Sequence, residues 1–219
     1  MKRLYIVVEG QSEQEFVKST LSPYLNGKGI FSVSPILIKT SKHGRGGHVN
    51  ATHLINTING LLKETQDTQI IVTTFIDLFR IPTNMPGYDN AQLLSSTIAQ
   101  VELLEGCLAE TIGDRRFYPY IQRHEFEALV FSSNIGFEKY FSEDQAARTE
   151  TIVNGFNNPE DINSSPESSP SKRILAIVPD YDKVLFGNLL VLEIGIDVIL
   201  SRCPRFAMWV NELIRRVNG

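Results

Sequence analysis

The stretch from Leu4 to Val8 constrains this chain more than any other. Leu4, Tyr5, Ile6, Val7 and Val8 are strand formers without polar alternation, the pattern of an inner strand buried on both faces of a parallel sheet. Gly10 follows almost at once and permits a sharp turn at positive φ. Ser12, with Glu15 three residues on, has the form of a capping box that opens a helix. Glu9 then stands at the carboxyl end of an inner strand, where open α/β sheets place their ligand sites. An acidic side chain there is poorly placed for packing and well placed for a divalent cation.

The same alternation continues. Residues 13–25 read as a helix with Phe16, Val17, Thr20 and Leu21 on one side and Pro23 near its end. Residues 31–40 read as a second strand, in which Pro35 marks an edge or bulge. A basic, glycine-rich loop covers 41–48, and 49–63 carries helical spacing at Leu54, Ile55, Ile58, Leu61 and Leu62. Ile70 to Ile76 is the next buried strand and ends at Asp77. Strand, helix, strand, helix, strand is the signature of an α/β sheet. Further on, 80–90 is a loop, 91–112 a long helix, and 117–123 a strand with His124 at its end and 125–131 turning into a helix. Residues 154–171, rich in Asn, Ser and Pro, read as an exposed flexible loop. An apolar run at 174–178 and helices over 184–193 and 204–216 complete the chain. With no internal repeat and no linker, residues 1–219 are expected to form one domain.

A net charge of −4 provides no general basic field, so any contact with nucleic acid must use a local basic patch or a metal. Cys107 and Cys203 match no zinc spacing and read as free, buried thiols in a reducing compartment. The first apolar run is too short for a signal peptide or a membrane span, which points to a cytoplasmic protein without membrane contact.

Glu9 and Asp77 are the leading pair of candidate ligands, because adjacent parallel strands would bring both carboxylates to one rim of the sheet. With Glu13 nearby, such hard oxygen ligands suit Mg²⁺ or Mn²⁺, substrate phosphate and water filling the other positions. The plainer alternative is that each acid caps the helix that follows. The second constellation is His124-Glu125-Phe126-Glu127. In an extended or turning segment Glu125 and Glu127 reach one site, whereas on a regular helix they diverge by about 200°. A lone histidine such as His124 is as a rule hydrogen-bonded rather than a proton carrier. Lys42 and Arg45 in the glycine-rich loop, Lys172 and Arg173, and Lys183 are candidate phosphate contacts, each weighed against an ordinary surface cation. No P-loop, Gly-x-Ser-x-Gly elbow or His-Glu-x-x-His zinc helix occurs.

These segments resemble the Toprim fold of topoisomerases, bacterial primases and overcoming-lysogenization-defect nucleases. In that fold a Glu-Gly after the first strand and an Asp-rich motif after a later strand bind Mg²⁺, places matched here by Glu9-Gly10 and Asp77. The chain is more closely similar to the bacterial family called domain of unknown function 4276. The similarity runs through Val8-Glu9-Gly10-Gln11-Ser12-Glu13, Thr74-Phe75-Ile76-Asp77, Gln122 to Leu129, Pro170-Ser171-Lys172-Arg173, Pro179 to Lys183 and Cys203-Pro204-Arg205-Phe206. The resemblance implies a Rossmann-like, mostly parallel central sheet flanked by helices, with a helical C-terminal extension. It implies a Mg²⁺- or Mn²⁺-dependent nuclease acting on DNA or RNA; the residues themselves offer Glu9, His124 and Lys183 for catalytic roles. The resemblance also implies relatives beside ATPase genes in phage-defence settings, which makes an ATPase a candidate partner. One departure matters: Leu78 and Phe79 follow Asp77 where a full Toprim motif has Asp-x-Asp. Glu125 and Glu127 are the candidates to replace the missing acid. The competing expectation is a non-catalytic module that binds or senses nucleic acid, or a partner ATPase, and the weakest is phosphotransfer on a small nucleotide.

Overall fold

The computed structural model describes residues 2–38, 50–64, 69–162, 165 and 168–219. Its centre is a parallel sheet of β1 (Arg3–Val8), β2 (Val33–Leu37), β3 (Ile70–Asp77), β4 (Phe117–Tyr118) and β5 (Ile121–Gln122), ordered β2-β1-β3-β4 with β5 also pairing β3. The chain leaves β1 for β2 on one side, then crosses back over β1 to β3 on the other. The winding therefore reverses between β1 and β3, and a crevice opens at their carboxyl ends.

Alternation along the strands divides the apolar residues between two cores. Leu4, Ile6 and Val8 of β1, with Ile71 and Phe75 of β3, face one side; Val7, Ile70, Val72 and Ile76 face the other. The second side is covered by α3 (Ala51–Glu64) and α5 (Thr97–Ile112) through Leu54, Ile58, Leu62, Val101, Leu104 and Leu108. The first is larger. It takes α1 (Gln11–Phe16), a π-helical turn at Val17–Leu21 and α2 (Ser22–Gly27), together with the helices of the C-terminal half. Those are α6 (Ile135–Tyr140), α7 (Glu143–Gly155), α8 (Pro170–Ile177), α9 (Leu185–Ile194), α10 (Ile196–Arg202) and α11 (Pro204–Asn218). The short α4 (Tyr88–Gln92) precedes α5. Trp209 of α11 is almost fully buried and stacks on Tyr120 at 4.5 Å, while its indole N–H donates to the Thr73 hydroxyl at 2.9 Å. That bond supplies the polar partner an indole needs when buried.

Several sequence expectations are corrected. Pro23 ends nothing, because it falls in the first turn of α2, where a missing N–H is tolerated. The helix expected over 91–112 is two helices, with Ser96 capping α5 by accepting from Ala99 N at 3.4 Å. The strand expected over 117–123 is broken at Pro119-Tyr120, where the Thr74 hydroxyl accepts from Tyr120 N at 2.8 Å and donates to Tyr120 O at 2.7 Å, standing in for a ladder step. The apolar run at 174–178 belongs to the helix α8 and its cap. In the stretch 154–171, the end of α7, a 3₁₀ turn at Pro159–Asp161 and the start of α8 replace much of the expected loop. Glu160 there is fully buried and accepts from Arg205 N at 2.8 Å and Phe206 N at 3.1 Å, so it anchors the first turn of α11. Both cysteines are free, but only Cys203 is buried, its thiol pushed up to about 12 chiefly by that burial; Cys107 is part-exposed. Among the described residues no helix is long and apolar enough to cross a membrane.

Candidate functional site

The β1–β3 register pairs Val8 with Phe75, so Glu9 lies just past the end of β1 and Asp77 closes β3 on the neighbouring strand. Together with Glu13 and Glu125 they line a cleft of ≈ 380 Å³ at the crevice where the winding reverses. Ser12, Ser171, Phe79 and Arg80 complete much of its wall, and Lys172 and Lys183 lie on it as well.

Local chemistry explains how each acid is held. Glu13 lies in the first turn of α1, and its Oε2 accepts from Gly10 N at 3.0 Å, which makes Gly10 the cap in place of the Ser12–Glu15 box. Gly10 does not use positive φ; its φ is −134°. A Cβ there would meet Glu13 Oε2, the tip of a side chain, at 2.9 Å, so a larger residue would displace the capping carboxylate. Glu125 is extended at the head of a 3₁₀ segment, Phe126–Ser132, and is almost fully buried. Its two oxygens accept from Ser171 N at 2.8 Å and Ser171 Oγ at 2.9 Å, at the N-terminus of α8. Glu127, only 1% exposed, faces Lys183, whose Nζ is 2.9 Å from Glu127 Oε1 and 3.9 Å from Glu125 Oε1. A regular helix would have separated these acids; an extended residue followed by a 3₁₀ turn brings both to one lysine. Phe126 and Leu129 alternate with them into the core, both fully buried.

Crowding and burial of carboxyl groups in and behind the cleft make each of them hold its proton more tightly. Burial pushes the Asp77 carboxyl well above its usual range, and Glu13, Glu127, Glu9 and Glu125 push it further. Glu13 is raised to about 7, by burial first, against a hydrogen bond from its own backbone, and then by Glu127 and Glu9. Glu127 is raised by burial against the opposing pull of Lys183. Lys183 loses basicity by burial but gains more from Glu127 and Glu125, so it stays firmly protonated. Asp77 Oδ1 is buried without a hydrogen-bond partner among the described residues.

Other candidates lie elsewhere. His124 is apart from the acidic cleft: it lines a second cavity, is 3% exposed, and burial, then Arg123, lowers its pKa to about 4. A neutral, buried imidazole outside the cleft is not placed as its proton carrier. Arg173 does not line the cleft; its Nε donates to Ser168 O at 2.8 Å and its guanidinium lies over Phe156. Lys42 and Arg45 lie outside the described residues. Arg80, Ser12 and Ser171 are cleft residues that motif spacing had not singled out as ligands. The signal for Arg80 was its position three residues after a strand-ending acid.

A hard-oxygen donor set fits Mg²⁺ or Mn²⁺, and the unpartnered Asp77 Oδ1 in a crowd of carboxylates is the atom a cation would satisfy. Among the described residues no group of three His, Cys, Asp or Glu is arranged to hold a metal as it stands. Mg²⁺ asks for less, being commonly bound by one or two carboxylates with water and phosphate oxygens.

Fold and cleft define a parallel α/β domain with a concave acidic site at its topological switch point. The chain belongs to the family described as Domain of unknown function (DUF4276), whose model matches residues 8–214. Among solved structures it is similar to the C-terminal region of the Burkholderia pseudomallei OLD protein, at 15% identity and a TM-score of 0.45, covering 98% of this chain and 99% of that one. It is similar also to the C-terminal region of the Xanthomonas campestris pv. campestris OLD protein, at 12% identity and a TM-score of 0.44, covering 100% of this chain and 99% of that one. Nothing among the curated proteins matches the chain.

Proposed function

We propose that this protein is a Mg²⁺- or Mn²⁺-dependent phosphodiesterase of the Toprim type that cleaves DNA or RNA. The observation that carries the reading is the meeting of Glu9, Glu13, Asp77 and Glu125 in one cleft at the switch point, with Asp77 Oδ1 buried and unpartnered. Glu9 and Asp77 would hold the cation, and Glu13 stands next to them as a further oxygen donor. When bound, the cation supplies Lewis acidity to a phosphoryl oxygen and offsets charge developing there. Glu125, bonded twice to Ser171, fixes the start of α8 and thereby the position of Lys172 on the cleft wall. Lys183 is steered by Glu127 and its side chain is 45% exposed, which leaves it able to meet a phosphate. Phe79 in place of a second Asp favours one cation over two. In this reading residues 1–219 act as one Toprim-like unit in the cytoplasm, in phage defence, with an ATPase as partner; that setting is what the family resemblance implies.

A second reading has a specific observation behind it. Both oxygens of Glu125 and the ammonium of Lys183 are already engaged within the fold. A domain that binds nucleic acid or its ATPase without turnover would use them in that way.

A time course on labelled DNA and RNA with Mn²⁺, Mg²⁺ or chelator, with and without the ATPase, separates the two. The phosphodiesterase reading expects metal-dependent cleavage that Glu9→Gln abolishes in a folded protein. Cleavage unchanged in Glu9→Gln, or none under any condition, leaves the binding module.

A further inference from the structure

The acidic cleft has a neighbour. A second cavity of ≈ 220 Å³ lies beside it, and Phe79 and Arg80 line both, so the two share a wall. We propose that this second cavity seats one unpaired nucleobase of a single-stranded nucleic acid, whose backbone passes Arg80 into the acidic cleft. The polymer's identity rests on the phosphodiesterase reading; the base-sized, aromatic and polar cavity does not.

Its lining has the composition that recognises a base. Phe79 and Tyr88 offer aromatic faces, and Ile81 adds apolar wall. Gln92, Gln100 and His124 supply the hydrogen-bonding edge. Unpaired bases are read by aromatic stacking together with hydrogen bonds to their edges. Gln100 is held in place, its Nε2 donating to Leu94 O at 2.7 Å. His124 is 3% exposed and its Nδ1 is buried with no hydrogen-bond partner among the described residues. A buried ring nitrogen without a partner is costly unless something else pairs with the ring.

Backbone conformation adds to this. Among the described residues the non-glycine positions at positive φ are Arg80, at 62°, and His124, at 70°, and both line this cavity. Such conformations cost energy and collect at binding sites. They are locked here by Phe79 N donating to His124 O at 2.8 Å, which carries the β3–β5 pairing past Asp77. Arg80 is exposed, its guanidinium 5.3 Å from the Phe79 ring centre, on the wall between base and phosphate sites. A base inside a duplex shows only its edges and cannot enter a slot of this size, so the substrate class is a single strand, a frayed end or an extruded nucleotide.

The test is binding of a labelled single-stranded oligonucleotide, followed by anisotropy in chelator so that neither metal nor turnover contributes. Tyr88→Ala is expected to weaken binding about five- to hundredfold, Tyr88→Phe to leave it near wild type, and the matching duplex to bind more weakly. Gln92→Ala, at an exposed position on α4, gives a second variant whose folding is not at issue, and it too should weaken binding. Photocrosslinking of a 5-iodouracil oligonucleotide is expected to label Tyr88 or Phe79. Wild-type affinity in both Tyr88→Ala and Gln92→Ala, or crosslinks confined to other regions, would overturn the proposal. A protein that never cleaves yet binds through Tyr88 would remove the phosphodiesterase reading alone; a metal-dependent nuclease indifferent to Tyr88→Ala would remove this one alone.

Discussion

Glu13 carries a charge under strain, and its pH behaviour follows from that. Its folded pKa of about 7 lies above the ordinary 4.5, so the folded state binds the proton more tightly than the unfolded chain. Its contribution is fully present below about pH 4.5 and is lost as pH rises to about 7, a swing of roughly 3 kcal/mol for a 2.5-unit shift. His124 acts oppositely: with its pKa lowered to about 4, stability is lost as pH falls from 6.5 toward 4. Wild type alone would superpose these two on the raised carboxyls of Asp77, Glu127 and Glu160. Glu13→Gln isolates one of them, since Gln keeps an acceptor for Gly10 N. Its urea-derived stability relative to wild type should rise by roughly 3 kcal/mol between pH 4.5 and 8 without metal, and a constant difference would refute the account. Glu125 offers the contrasting case. Glu125→Ala removes both acceptors for Ser171 and should cost about 2–4 kcal/mol at neutral pH, read from denaturant midpoints; a neutral effect would mean the bonds to α8 carry no stability. The two strand-end acids stood out in sequence because a carboxylate that closes an apolar run has no packing role there. The engagement of Glu125 by Ser171 was not legible, since it joins residues 46 apart in the chain.

At the scale of elements, local pattern named the strands that are buried on both sides and faltered where tertiary contacts decide. β1 and β3 are unbroken runs of strand formers and were plain; α3 and α11 were plain from helical spacing. The split of β4 from β5 depends on the Thr74 hydroxyl reaching Tyr120, a contact no local pattern records. Helices α6, α7 and α10 were missed, being short or polar segments whose folding depends on packing against the C-terminal core. Gly136 shows how tight that packing is. On α6, an added Cβ would lie 2.9 Å from Leu190 Cδ2 and 3.1 Å from the Leu190 backbone on α9. Because backbone cannot swing aside, Gly136→Ala should destabilise by about 1–3 kcal/mol despite its better helix propensity. A gain in melting temperature in that variant would show the two helices to be further apart than described.

For the whole molecule, the sheet order explains why the acids meet at all. Reversal of winding at β1–β3 leaves a crevice at the carboxyl edge, and residues from five separate stretches of sequence close around it. With a net charge of −4 and this concentration of carboxylates, the fold does not attract phosphate by its general field. A cation would add to Arg80, Lys172 and Lys183 the positive charge that draws a backbone phosphate onto the acids. The most direct measurement is therefore a calorimetric titration of Mn²⁺ into metal-free wild type and into Asp77→Asn at pH 8. The account predicts saturable binding to wild type and at least a tenfold loss, or about 1.4 kcal/mol, in Asp77→Asn, which should itself be no less stable than wild type because it relieves carboxylate crowding. Equal Mn²⁺ affinity in the two proteins, or no binding to wild type, would contradict it.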